Sequence, residues 1–216
     1  MSAMPSLDES YVIERIPYAM AMEVVVANHY LHRKAPVSMA FGMFDLSGAI
    51  VGVITYGVPA SSTLLRGVCG EDEARNVYEL NRLWVDEDVP KNGESFLIGN
   101  TINKLDREIV VSYADSSQNH VGIVYQATNW IYTGLSTKFK DPKVIGLENQ
   151  HHATYANGLT NKQVVEKFGD RVYFVDRPRK HRYVYFNASK FRKKTLLKKL
   201  SYKILPYPKA NKENEK

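Results

Sequence analysis

Apolar residues fall into short runs along the chain, separated by polar, glycine-bearing segments, and the spacing within each run predicts an element. Ile16 to His32 carries Ala19, Met20, Met22, Val24 and Ala27 after an early Pro17, which predicts a helix ending near Asn28, His29 and Tyr30. Residues 38–45 and 49–57 are apolar runs parted by Asp45-Leu46-Ser47-Gly48, the pattern of a β-hairpin. Pro59, Gly67 and Gly70 make 58–76 a predicted surface loop. Residues 77–86 read as a strand and 87–95 as a turn-rich loop. Phe96 to Arg107 has the apolar set of a helix. The near-continuous apolar run 109–114 predicts a strand buried on both faces. A polar loop (115–119), a short helix (120–129) and a strand (130–135) follow. Further on, 161–168 reads as a helix, 171–175 and 182–186 as a strand or a pair of strands, 190–200 as a basic amphipathic helix and 211–216 as a frayed end.

This order predicts a mixed α/β (α+β) fold with a partly antiparallel central sheet flanked by helices. Nothing marks a domain boundary before about residue 140. The expected organisation is a catalytic domain over 1–186, with a basic helix and tail, 187–216, docked on it.

Composition changes the picture in one respect. The 216 residues carry a formal charge of +6, but residues 8–176 hold 15 Lys/Arg against 21 Asp/Glu, while 177–216 hold 14 against 2. An acidic body therefore bears a strongly basic end, and clustered cations can neutralise phosphates. The single Cys69 excludes internal disulfides, multi-cysteine zinc ribbons and cysteine-ligated iron–sulfur clusters. No apolar run approaches a membrane span, and the polar start does not read as a signal peptide, so a soluble intracellular protein is expected.

Candidate chemistry begins at the strand–loop–helix unit of 77–107. A helix start presents free N–H groups and a partial positive charge, and Lys91, Asn92, Gly93 and Ser95 sit where an anion could be cradled. Neither the P-loop nor the dinucleotide fingerprint is present, and a capped helix after a turn is the simpler reading of the same residues. The order of elements resembles the central part of the GNAT acyltransferases. That resemblance implies that Leu83, Trp84 and Val85 face the pantetheine of an acyl-CoA such as acetyl-CoA, and Lys91 to Ser95 its pyrophosphate. The GNAT Q/R-x-x-G-x-G/A signature is missing from this chain.

The most informative stretch is 113–134, YADSSQNHVGIVYQATNWIYTG, in which a buried strand delivers Asp115 to its end, before a polar loop and a helix bearing Tyr125. Together with Asn28-His29-Tyr30, Glu79-Leu80-Asn81-Arg82-Leu83 and Gly93-Glu94-Ser95, it resembles the Mom family of phage DNA adenine modification proteins, over roughly residues 20–186. The resemblance implies a GNAT-like enzyme that converts adenine N6 in DNA to a carbamoylmethyl (methylcarbamoyl) derivative, protects that DNA from host restriction and works in the cytoplasm of the infected bacterium. It also implies a metal-assisted step with iron. Read from the residues themselves, His29 or Asp115 could orient the amine and Tyr125 or Ser95 could donate to the leaving group, with Tyr30 in the same catalytic cluster, while His29, Tyr30, Asp115 and Tyr125 carry donor atoms that suit non-haem iron. Each also has a structural reading: His29 as a helix-end histidine, Asp115 as a helix cap, Tyr125 as core. His120 is a further candidate, and His151-His152 read as loop residues.

Adenine N6 is a base-pairing amine, so the DNA partner would present a flipped or single-stranded base, with Asn129, Trp130 or Tyr132 as possible contacts. Arg177, Arg179, Lys180 and Arg182, then Lys190, Arg192, Lys193, Lys194, Lys198 and Lys199, interleaved with aromatic residues, would supply phosphate contacts. Two other functions fit the same pattern: an N-acetyltransferase acting on a protein or small-molecule amine, and a non-catalytic nucleic-acid-binding protein.

Overall fold

The computed structural model describes residues 6–148, 150 and 152–209. The chain runs α1 (Leu7–Ser10), β1 (Tyr11–Arg15), α2 (Tyr18–Asn28), β2 (Met39–Asp45), β3 (Ile50–Gly57), α3 (Ser62–Gly67), β4 (Val77–Val85), α4 (Gly93–Ile102), β5 (Ile109–Asp115), α5 (Ile123–Ala127), β6 (Ile131–Leu135), β7 (Lys140–Val144), α6 (His152–Ala156), α7 (Asn161–Phe168), β8 (Val172–Asp176), β9 (Lys180–Phe186) and α8 (Lys190–Lys199). Seven strands form one sheet in the order β1-β2-β3-β4-β5-β9-β6. Only β4 and β5 run parallel; every other neighbouring pair is antiparallel. The fold is the expected mixed α/β sheet flanked by helices.

Period-2 alternation sends alternate strand residues to opposite faces, and both faces are covered. Phe41, Met43, Ile54, Tyr56, Leu80 and Val110 pack under α4 and α5 with Leu97, Ile98 and Tyr125. On the other face Val77, Ile109, Val111 and Val184 meet Leu64, Val68, Cys69 and Leu196, while α2 packs Ala21, Met22 and Val25 on Ala40 and Val53. Between β6 and β9 the chain leaves the sheet to build a small lobe. There β7 and β8 pair as a two-stranded ribbon, and Val144, Tyr155, Ala156 and Val164 form a core of their own.

Several sequence expectations are corrected. Residues 58–76 are not a loop: Ser61 accepts from the Leu64 N–H to cap α3, and a 3-10 turn spans Glu71–Asn76. The helix set at 96–107 runs from Gly93 to Ile102, because Asn92 takes a left-handed conformation (φ 77°) that starts it three residues earlier. The helix set at 120–129 covers only Ile123–Ala127, since Gly122 at φ 81° begins it. β1, β7 and α6 were not foreseen. His152 opens α6, while His151 and the 211–216 end lie outside the described residues. Among the described residues no helix is long and apolar enough to cross a membrane.

The basic end does not trail free. Leu196 of α8 is fully buried against the sheet, a burial worth about 2 kcal/mol. Arg192 donates both Nη groups to Glu73 (2.9 and 2.6 Å) and Nε to Glu108 (2.8 Å), and Lys199 Nζ reaches Glu73 (2.7 Å) and Asp72 (2.6 Å). Glu73 is buried, and the Arg192 hydrogen bonds outweigh its desolvation. With help from Lys199 and Asn76 they hold its carboxyl at about 2, from an ordinary 4.5. A depressed carboxyl stabilises the fold above its unfolded pKa and loses that contribution as pH falls through the folded value. Stability tied to Glu73 is thus complete above about pH 4.5 and disappears toward pH 2. Arg192→Met should cost about 2 kcal/mol in urea unfolding, because it removes two charge-assisted hydrogen bonds and leaves the buried carboxylate only Lys199 and Asn76, and should flatten the loss of stability between those pH values. A variant as stable as wild type, with the same acid limb, would show that solvent screens the network.

Candidate active site

β4 and β5 pair only from Val77 opposite Ile109 to Leu80 opposite Ser112. Beyond that, β4 continues to Val85 beside β3 while β5 continues to Asp115 beside β9, and the two strands part. The register shows why. Tyr56 faces Leu80 and Thr55 faces Arg82, which leaves Asn81 as an extra residue, and such a bulge bends and twists its strand. Thr55 Oγ1 donates to Asn81 Oδ1 (2.6 Å), and Asn81 Nδ2 donates to Pro36 O (2.7 Å). Gly57 makes that approach possible, since a Cβ there would stand 1.9 Å from Pro36 O. In the notch, Ser112 Oγ lies 2.9 Å from the Leu80 carbonyl and 2.8 Å from the Tyr125 hydroxyl, so polar groups from α5 and β5 fill the apex.

The notch opens into a cavity of about 780 Å³. It gathers segments far apart in sequence: His29 and Tyr30 from the end of α2, Glu79 to Val85 of β4, Glu94 of α4, Asp115, His120 and Tyr125 after β5, and Phe139, Arg177 and Lys180 from the lobe side. The loop after β5 is held tightly. Asp115 Oδ1 accepts from Ser117 N (3.0 Å) and Oγ (2.7 Å), and its Oδ2 pairs with Lys180 Nζ (3.1 Å). Burial raises the Asp115 carboxyl, but these partners outweigh it and the net shift is downward. At Gly122 a Cβ would lie 2.4 Å from the Tyr183 ring, which together with its positive φ requires glycine.

His29 is buried, and its Nδ1 accepts from the Leu31 N–H at 3.1 Å. Desolvation, then Arg82, His32, His120 and Lys180, lower its pKa to about 4. The neutral ring thus carries its proton on Nε2 and offers a donor to the cavity. Tyr30 stacks on His29 (centroids 4.5 Å apart), meets His120 edge-on at 6.1 Å and remains 43% exposed, leaving ring surface open. Burial, with Asp115 adding, raises its phenol pKa. Tyr125 is buried against Trp130 and Tyr183, and its phenol pKa is pushed up by desolvation.

Three lining residues, Glu79, Glu94 and Arg82, carry chemistry that the sequence did not assign, and a fourth, Arg177, was expected only as a phosphate contact. Glu79 and Glu94 have no hydrogen-bond partner among the described residues, and desolvation raises both carboxyls. Arg82 is buried and donates only to the carbonyls of Arg33, Lys34 and Asn81, so its charge is hydrogen-bonded but not neutralised at contact. Arg177 comes from the lobe side and chelates Asp141.

The other expected residues are placed as follows. Leu83, Trp84 and Val85 line the cavity, whereas Lys91, Asn92, Gly93 and Ser95 do not. Trp130 is fully buried and Tyr132 bonds His181 Nδ1 at 2.8 Å, so both serve the core. Of the basic residues, Arg177, Lys180, Arg192 and Lys199 are paired with carboxylates. Arg179 donates to Ser136 O and Leu135 O. Arg182 donates to Thr133 and lies over the Tyr202 ring at 3.3 Å, and Lys193 lies over Tyr185 at 5.3 Å. Lys190, Lys194 and Lys198 have no ion pair among the described residues.

The Mom protein family model matches residues 10–209. The chain belongs to the Mom family. It is similar to the methylcarbamoylase Mom of Escherichia phage Mu, with 28% identity covering 91% of this chain and 83% of that relative. Among solved structures it is similar to a GNAT family N-acetyltransferase of Escherichia coli in complex with CoA (13% identity, 91% of this chain and 88% of that one, TM-score 0.43). It is also similar to a spermidine/spermine N-acetyltransferase of Vibrio cholerae (7% identity, 87% and 99%, TM-score 0.46).

The iron set suggested for this Mom chain does not match its donors. His29 Nδ1 is occupied by a backbone N–H and both Asp115 oxygens are engaged, one by the Lys180 ammonium. The phenols of Tyr30 and Tyr125 are shifted away from ionisation, and a phenolate is the form that ligates. Among the described residues no three His, Cys, Asp or Glu side chains come close enough together to hold an ion. In nitrogen-detected NMR the His29 ring should show the Nε2–H tautomer through neutral pH and titrate near 4. A midpoint near 6.5 would remove the buried, donor-only role.

Proposed function

We propose that this Mom family member modifies adenine at N6 in DNA, adding the carbamoylmethyl (methylcarbamoyl) group and thereby shielding the DNA from restriction. The observation that carries the reading is the convergence of three separated segments, 28–30, 79–85 with Glu94, and Asp115 with 119–125, on one cavity in a chain of this family. On this reading the activity belongs to the cytoplasm of the infected bacterial host.

The cavity suits the chemistry. The adenine amine is a weak nucleophile because its lone pair is delocalised, and it becomes competent only if a proton leaves as the new bond forms. A base for that step needs a pKa nearer to neutrality than an exposed carboxylate. Glu79, desolvated and unpartnered in the wall, meets that requirement; Asp115, lowered and fully bonded, does not. Asp115 with Lys180 instead positions the 115–122 loop, and Tyr125 with Ser112 keeps the notch at its width. The open side of the Tyr30 ring, backed by His29, offers a surface on which a flipped base can stack. His29 Nε2–H can donate to an acceptor on that base.

The free edge of β4 beyond Leu80 fits an extended amide-bearing chain, as in the pantetheine of an acyl-CoA, with Leu83, Trp84 and Val85 as its wall. When bound, such a donor would supply a two-carbon unit; attack of N6 on its carbonyl with loss of the thiolate would give an N6-acyl adenine, so the N6–CH2 bond of the carbamoylmethyl product needs chemistry beyond simple acyl transfer. The helix start at Asn92-Gly93, with Lys91, is the place for its pyrophosphate, but Glu94 stands in its first turn and Asp86, Glu87 and Asp88 precede it closely in the chain. These acids weaken the anion site, so the β4 edge would carry most of the binding.

Nucleosides from a plasmid co-expressed with the protein, analysed by mass spectrometry, should contain the N6-carbamoylmethyl product. Glu79→Gln should lower its yield by about 100-fold or more, and Tyr30→Ala should lower it while leaving the fold intact. Unmodified adenine from soluble wild-type protein would overturn the proposal. Acetyl-CoA turnover on an amine without DNA would instead favour an N-acetyltransferase.

A further inference from the structure

We propose that the outer face of the β7–β8 ribbon is a stacking surface for the unpaired DNA strand beside the target base. This rests on the DNA reading of the cavity and adds a surface that the basic end had been expected to provide.

The ribbon's two faces differ along β7, although on β8 Phe174, opposite Pro142, is also exposed. Pro142 and Val144 turn inward onto Tyr155 and Val164, and the Tyr155 hydroxyl donates to Pro142 O at 2.6 Å. The opposite face is set by register: Lys143 pairs with Tyr173 and Asp141 with Val175. Residues directly across an antiparallel pair share a face. Arg177 bonds Asp141 and lies 5.8 Å from the Phe139 ring, and its N–H donates to Phe139 O at 2.8 Å, so these residues extend the same face. The result is a strip from Phe139 and Arg177, through Asp141 and Val175, to Lys143 and Tyr173. Its apolar members are open to solvent: Phe139 58%, Val175 42% and Tyr173 40%. An open strip of this kind on an edge ribbon is costly to leave bare.

Two observations identify the occupant. The strip is continuous with the candidate site, because Phe139 and Arg177 also line the cavity. The stretch of chain that builds it is also opposite in charge to the body. Residues 8–135 hold 9 Lys/Arg against 16 Asp/Glu, whereas residues 136–179 hold 8 against 5. The acid on the strip, Asp141, is taken by Arg177, while Lys143 on the strip and Lys138, next to Phe139 in the chain, form no ion pair among the described residues. Exposed aromatic rings interleaved with free cations bind single-stranded nucleic acid, the rings taking base faces and the cations phosphates. A base-paired duplex hides those faces, whereas a strand opened around the target base presents them beside the cavity mouth.

The test uses the full chain and a fluorescein-labelled single-stranded oligonucleotide with iodouracil next to one adenine. Irradiation should cross-link the oligonucleotide to peptides containing Phe139 or Tyr173, read by mass spectrometry. Phe139→Ala with Tyr173→Ala should weaken binding about tenfold or more, and Lys143→Glu should reduce its salt dependence. Wild-type binding with cross-links only elsewhere, or unchanged affinity in the double variant, overturns the ribbon while leaving the DNA reading in place. Absence of wild-type binding to any DNA overturns both. A dimer in sedimentation that Tyr173→Ala dissociates would show that a second copy covers the strip, and would also overturn the proposal.

Discussion

The separation of β4 from β5 after Leu80 and Ser112 is the constraint on which the rest of the structure depends. Two parallel strands that let go expose main-chain N–H and C=O groups inside a domain, and buried groups of that kind must find partners. Here β3 and β9 satisfy the outer edges, while Ser112 and Tyr125 fill the apex. The rest of the free β4 edge faces the cavity, where water or a ligand completes it. The bulge at Asn81 makes the parting a built feature, since its side chain is bound on one side to Thr55 and on the other to Pro36. The chemistry gathers where the backbone cannot satisfy itself.

The same geometry redistributes the roles among the candidate residues. His29, Asp115 and Tyr125 all face the cavity, but the protein has already claimed their most reactive atoms: Nδ1 by Leu31, both carboxylate oxygens by Ser117 and Lys180, and the phenol by Ser112. Those bonds hold the three side chains in place in the cavity wall. Glu79, Glu94 and Arg82 keep unneutralised charge or an unshared lone pair in the same space.

What could be read from the sequence follows from where each signal resides. Runs such as 38–45, 49–57 and 109–114 are buried on both faces, so their hydrophobicity alone marks them as strands. β7 could not be seen this way: Lys140, Asp141, Pro142 and Lys143 show one buried side only, and its partner lies about thirty residues on. α3 was hidden by Pro59 and Gly67, which flank a capped turn rather than a loop. His29 and Asp115 were visible as site candidates because they end elements. Glu79 and Arg82 were not, because mid-strand residues reveal their side of a sheet only when register and bulge are known. Counting charges found the basic end, but no count shows that Arg192 and Lys199 are held by Glu73, Glu108 and Asp72.

Charge placement then bears on how a polyanion could reach the cavity at all. The lining carries Arg82, Arg177 and Lys180 against Glu79, Glu94 and Asp115, so its interior is balanced and suits a neutral heterocycle better than a phosphate. The surrounding body is acidic and repels a phosphate backbone. The positive excess lies in the lobe beside the mouth and on the outer turns of α8, where Lys190, Lys194 and Lys198 stay unpaired among the described residues. A field of that shape favours one direction of approach, because repulsion over most of the surface and attraction beside one opening both lower the free energy of the same orientation. On the proposed function, a backbone held at the rim with only a base admitted to the balanced interior would make reading and gripping separate tasks. A DNA-modifying enzyme needs that separation if it is to act at many positions along a strand without being trapped at any of them.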